Sequence, residues 1–244
     1  MDYLLILSMA RSGSSLFAQI LMSNPEIIGI GETKTKYTST QSVIRMVGRI
    51  SYTGWRYGID TGGVGRYFMD KLVINNLLEP ENVSLLNNDR YRVVFLIREP
   101  RGQIRSYMNV FPHWDETNVA RFYVKRARVL QSYMEGLQPK GKAAAITYDQ
   151  LIHCTAPTLR MIEKYLGLSV PLSESYNVSP TTSNFAFGDK SENIKTGRIV
   201  RNKGQDEHEI QIPQELLEEA EHEYQVCLRI MENCCICLGP DDCN

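Results

Sequence analysis

The run Ser8-Met9-Ala10-Arg11-Ser12-Gly13-Ser14-Ser15 gathers a guanidinium, several hydroxyls and a glycine into one short loop. Before it lies a continuous apolar stretch, Tyr3 to Leu7, and after it an amphipathic helical pattern from about Ser14 to Ser23. A strand, a Gly/Ser loop and a helix start together make an anion site. The first N–H groups of a helix have no intrahelical partner, and the helix dipole adds positive potential there. Arg11 contributes a full charge and a forked donor set, Ser12, Ser14 and Ser15 contribute hydroxyl donors, and Gly13 lets backbone approach a ligand closely. The loop lacks the first glycine and the lysine of G-x-x-x-x-G-K-[ST], which argues against an ATP or GTP hydrolase. Taken alone, the stretch reads equally well as an N-capped helix following a loop.

Two further places carry polar chemistry after an apolar run. Val93 to Ile97 ends in Arg98-Glu99-Pro100, and Pro100 sits where a helix accepts proline in its first turn. Arg98 at the strand end and Ser106 on the second turn of that helix can converge on one phosphate. Ile27, Ile28 and Ile30 lead to Gly31-Glu32, which places a carboxylate at a strand end beside the first loop.

The elements that must position these groups follow from periodicity. Tyr3–Leu7, residues 27 to 30, Val93–Ile97 and Ala143–Thr147 read as buried strands, short and continuously apolar. Helical patterns cover 14 to 23, 66 to 78, 116 to 136, 156 to 166 with Gly167 as its cap, and 213 to 233. Residues 33 to 65 predict a short helix flanked by loops, and 169 to 212 show little periodicity. Buried strands alternating with helices give an α/β fold: a mostly parallel central sheet flanked by helices, with a phosphate-loop-like strand–loop–helix at the N-terminus. Ligands of such sheets bind beyond the carboxyl ends of the strands, where the three polar places fall.

The 244 residues are 43% hydrophobic and show no linker, repeat or low-complexity tract, so one domain over 1–244 is expected. A net charge of −1 gives no reason to expect nucleic acid as a partner. Neither a signal peptide nor a stretch of about 18 apolar residues is visible, and a cytoplasmic protein without a transmembrane segment is expected. Of the six cysteines, five fall between Cys227 and Cys243, which is not the spread of a disulfide framework; buried free thiols are the expectation there. No Asp/Glu/His set has metal-ligand spacing, and the chemistry below needs no metal.

Three blocks together resemble the PAPS-dependent sulfotransferases. Arg11-Ser12-Gly13-Ser14-Ser15-Leu16 after the first strand is similar to that family's 5′-phosphosulfate loop. Val93 to Arg101, continuing to Ser106-Tyr107, resembles its 3′-phosphate motif. Tyr148-Asp149-Gln150-Leu151, with a helix ending in Tyr165-Leu166-Gly167-Leu168, is similar to its third recurring block. They come in the family's order and frame about two thirds of the chain.

The resemblance implies PAPS as co-substrate, PAP as product, and transfer of a sulfuryl group to a hydroxyl or amine. It implies that Arg98 and Ser106 hold the 3′-phosphate and that Tyr148 lies near the adenine. Several branches of the family use a glutamate after the second strand as base, which points to Glu32; no histidine precedes His113. Lys71 resembles a lysine just before or within a helix that assists at the transferring group, although Leu72-Val73 stand where relatives often have a proline nearby. A late basic loop closing over the nucleotide matches residues 185 to 204, with Lys190, Lys195 and Arg198 as candidates and Lys190 put forward. The rivals are a small-molecule kinase with an atypical phosphate loop and a catalytically inactive nucleotide-binding member. Tyr37, Tyr52, Trp55, Arg56 and Tyr57 suit a carbohydrate, a lipid or a small natural product as acceptor, and neither the acceptor nor the oligomeric state is legible.

Overall fold

The computed structural model describes residues 1–61, 65–73, 77–182, 192–201 and 211–243. Five strands form one all-parallel sheet: β1 (Asp2–Ser8), β2 (Ile27–Gly29), β3 (Tyr67–Leu72), β4 (Tyr91–Ile97) and β5 (Ala143–Thr147), in the spatial order β2-β3-β1-β4-β5. Among the described residues seven α-helices accompany them: α1 (Ser14–Met22), α2 (Ser42–Tyr57), α3 (Pro100–Val110), α4 (Glu116–Gly136), α5 (Tyr148–His153), α6 (Thr155–Leu166) and α7 (Gln214–Cys234).

Alternation along each strand divides the core into two layers. Leu5 and Leu7 of β1, Val93, Phe95 and Ile97 of β4, and Ala143 and Ala145 of β5 pack with α2, α3, α4 and α7. Leu4, Ile6, Val94, Leu96, Ala144 and Ile146 face the other way, onto α1, α5 and α6. Both faces are covered, which is why the strands read as unbroken apolar runs.

The chain leaves β1 through α1 on one face of the sheet and leaves the neighbouring β4 through α3 on the other. Loops that part in this way open a crevice at the carboxyl ends of the two strands. The Arg11 loop and Arg98 stand on its two sides.

Two expectations are corrected. Residues 67–72 form β3, not a helix: Lys71 lies on a strand beside Ile6 of β1. The consecutive charges Asp70 and Lys71 break the apolar run that marks a buried strand, so the sequence pattern favours a helix; both are buried in the fold because neighbouring strands and loops supply partners. The cysteines are not all free either, since Cys154 is bonded to Cys243. After α7 the chain returns to β5, where Ile236 donates to the Ala143 carbonyl and accepts from the Ala145 N–H. This covers the outer edge of β5, and the chain continues from there to Cys243 beside Cys154. Cys227, Cys234, Cys235 and Cys237 are free thiols. No helix among the described residues is long and apolar enough to cross a membrane.

Candidate active site

The loop after β1 begins the site. Arg11 and Gly13 both hold positive φ, 67° and 90°. At Gly13 a side chain is excluded twice: by backbone conformation, and because a Cβ would lie 2.6 Å from the Tyr148 ring. Gly13 is the N-cap of α1, no side chain caps it, and the first turn contains no acidic residue. The helix therefore presents its first N–H groups and positive end without an internal counter-charge.

The strand-end and helix residues converge on this loop. The Arg11 Nε donates to Ser106 Oγ at 3.3 Å, and the Arg98 Nη1 donates to the Arg11 carbonyl at 3.3 Å. The Arg98 guanidinium lies 4.0 Å from the centre of the Tyr148 ring, so Tyr148 meets both Gly13 and a cation. Tyr148 opens α5 directly after β5, where Thr147 and Gln150 form a reciprocal capping box that fixes the turn. Glu99 caps α3 by accepting from the Gly102 N–H, which fixes the exit of the chain beyond Arg98.

Arg11, Gly13, Ser14, Ser15, Leu16, Arg98, Ser106 and Tyr148 thus line one cleft, joined by Tyr176, Ile194 and Arg198 from the late irregular segment. Among the described residues three arginines and no carboxylate line it, alongside two aromatic rings and the aliphatic Ile152, Ile194 and Val200. Such a lining suits an anion carrying a flat apolar ring.

Ser12 differs from its expected role. It is fully buried and its hydroxyl donates to the Met9 carbonyl at 2.8 Å, which holds the loop rather than a ligand. Lys190 lies outside the described residues. Arg198, one of the three cations considered for the late loop, lines the cleft, and Tyr176 reaches it through hydrogen bonds from its hydroxyl to the Ile194 and Arg198 carbonyls.

A second cluster sits beside Ser15. The Lys71 ammonium, with 2% of its side chain exposed, donates to Ser15 Oγ at 2.7 Å and lies 3.0 Å from Glu32 Oε1. Glu32 is partly exposed at 15%. Because strand side chains alternate, Lys71 faces the α1 layer while its neighbour Asp70 faces the α2 layer.

Asp70 is a component that the sequence pattern did not reveal. Fully buried, it accepts from the Thr33 N–H at 2.7 Å, the Thr33 hydroxyl at 2.6 Å, the Tyr37 hydroxyl at 2.9 Å and the Lys71 N–H at 2.9 Å. It pins the residue after Glu32 to the strand that carries Lys71. Burial pushes its carboxyl up to about 6, against the opposing pull of donors from Thr33, Tyr37 and Lys71. Arg126 of α4 is buried as well and donates to the Ser8 carbonyl at 2.9 Å, holding the end of β1 from below.

No family model matches the chain, and no curated protein matches it. Among solved structures it is similar to a sulfotransferase from Alicyclobacillus acidocaldarius, with a TM-score of 0.51 and 12% identity over 96% of this chain and 95% of that one. At that identity the likeness is one of architecture: the chain has the fold of that sulfotransferase.

Proposed function

We propose that the protein is a PAPS-dependent sulfotransferase. The observation that carries this reading is the junction of two clusters at Ser15, which lines the cationic cleft and also meets the Lys71–Glu32 pair. A donor bound in the cleft by its phosphates has its reactive end beside a lysine and a carboxylate.

The lining fits the donor. The open N-terminus of α1 with Arg11, Gly13, Ser14, Ser15 and Leu16 takes the 5′-phosphosulfate, Arg98 and Ser106 take the 3′-phosphate, and Tyr148 takes the adenine. PAPS supplies the sulfuryl group and departs as the 3′,5′-bisphosphate. Glu32 accepts the proton of the acceptor hydroxyl or amine as its bond to sulfur forms. Lys71 stabilises the charge at the sulfuryl oxygens and the leaving phosphate, from a nearly dry position where a fixed cation acts most strongly. Ser15, bonded to Lys71, keeps that cation aimed at the end of the phosphate loop. The acceptor is a small molecule, glycan or lipid.

Thermal unfolding with PAP, AMP, or ATP plus Mg²⁺ tests the donor assignment. A ligand that binds only the folded chain adds about 2.7 kcal/mol at a hundred times its Kd. Stabilisation by PAP and not by AMP is the expected result; stabilisation by ATP alone replaces this reading with a kinase.

A further inference from the structure

Residues 33 to 59 contain five cations, Lys34, Lys36, Arg45, Arg49 and Arg56, and no Asp or Glu, in a chain whose net charge is −1. Their helical part, α2, buries Val43, Met46 and Ile50 against the sheet layer. Its outer face has two parallel stripes. Ile44, Gly48, Tyr52 and Trp55 recur at helical spacing along one, and Arg45, Arg49 and Arg56 along the next. Ile44, Tyr52 and Trp55 are 70%, 60% and 80% exposed, more than any other large hydrophobic side chain among the described residues. The stripe from Ile44 to Trp55 is about 16 Å long.

We propose that this face of α2 seats the protein on an anionic lipid bilayer. A helix that carries an aromatic and aliphatic stripe beside a wholly basic one lies in a membrane interface, with rings at the headgroup level and guanidinium groups on lipid phosphates. Lys34 and Lys36, exposed on the segment leading into α2, extend the basic edge. Arg49 also donates to the Thr33 carbonyl at 2.6 Å, which ties the helix rigidly to that segment.

Other occupants fit less well. A second copy docking through the same face sets arginines against arginines. A sugar chain stacks on rings that line a groove, whereas Gly48 at the middle of this face has nothing within 4 Å of where a Cβ would stand, and aliphatic Ile44 has no role in sugar stacking.

The test needs no nucleotide and stands apart from the sulfuryl-transfer reading. Trp55 and Trp114 are the two tryptophans, so Trp114→Phe leaves Trp55 as the only fluorescent indole. Phosphatidylcholine vesicles containing phosphatidylserine should shift its emission to the blue, and vesicles of phosphatidylcholine alone should not. The unsubstituted chain should sediment with the mixed vesicles, and Arg45→Gln/Arg56→Gln should weaken this on the order of thirtyfold. Absence of sedimentation with the mixed vesicles overturns the proposal. So does binding of an acidic polysaccharide in their place, or a doubling of mass with concentration that Trp55→Ser abolishes.

Discussion

The two ends of the site distribute charge differently. At the cleft end Arg11, Arg98 and Arg198 line a pocket with no carboxylate among its described lining residues; Arg11 donates to Ser106 Oγ, and Arg98 meets the Arg11 carbonyl, the Tyr148 ring and, at 3.9 Å, Glu99 Oε1. At the Ser15 end Lys71 is already paired with Glu32 at 3.0 Å, and Asp70 beneath it is saturated with donors. Cations dominate the described lining of the first end, while at the second end a lysine and a glutamate pair directly. If the cleft holds the proposed donor, substitutions there should act on affinity, and those at the other end on turnover and on folding.

The largest effect is expected at Glu32. Glu32→Gln leaves an amide oxygen to accept from Lys71 but removes the proposed base, so kcat for sulfuryl transfer should fall by about 10²–10⁴-fold. Stabilisation by PAP should be unchanged. A parallel loss of PAP binding would merge the two ends and remove the contrast.

Arg98→Ala should do the reverse. Losing a charged hydrogen-bond donor of about 1.5–3 kcal/mol weakens PAP by roughly ten- to a hundredfold in calorimetry. Unliganded stability should fall by about 1–2 kcal/mol, because the contacts with the Tyr148 ring, the Arg11 carbonyl and Glu99 are lost.

Asp70 sharpens the comparison through pH. Its folded value of about 6 lies above the ordinary 3.8, so the folded chain binds the proton more tightly than the unfolded one. Its contribution to stability is complete below about 3.8 and is lost as pH rises through about 6, on the order of 3 kcal/mol in all. Asp70→Asn removes this dependence. Its melting temperature should gain on the unsubstituted chain between pH 4 and 7 and run parallel above that; a constant gap throughout would show that Asp70 is not the buried titrating group.

The smallest change belongs to Gly13→Ala. The left-handed backbone and the contact with Tyr148 should lower stability by about 1–2 kcal/mol, measured by denaturant unfolding, and weaken PAP through displacement of the ring.

Features that reside in a single stretch of chain were legible from the residues alone. Four of the five strands are continuous apolar runs because the sheet is buried on both faces, and α4, α6 and α7 show their period directly. The Arg11 loop and Arg98 could be named because each follows a strand, Ser106 because it lies on the second turn of the next helix, and Tyr148 through the family resemblance; parallel topology carries those points to one edge. What required the third dimension was every feature whose partner is remote in sequence. Asp70 and Lys71 look like a polar interruption until Thr33, Tyr37, Glu32 and Ser15 surround them, and only then can a strand contain two buried charges. Ser12 and Ser15 are the same residue type three positions apart, yet one bonds backward to Met9 and the other forward to Lys71, because the turn at Gly13 points them apart. Cys154 and Cys243 stand 89 residues apart and meet only because the tail pairs with β5. Local composition and period determine which segments become strands and helices; the pairing of buried charges depends on which strands become neighbours, and that is settled only when the sheet forms.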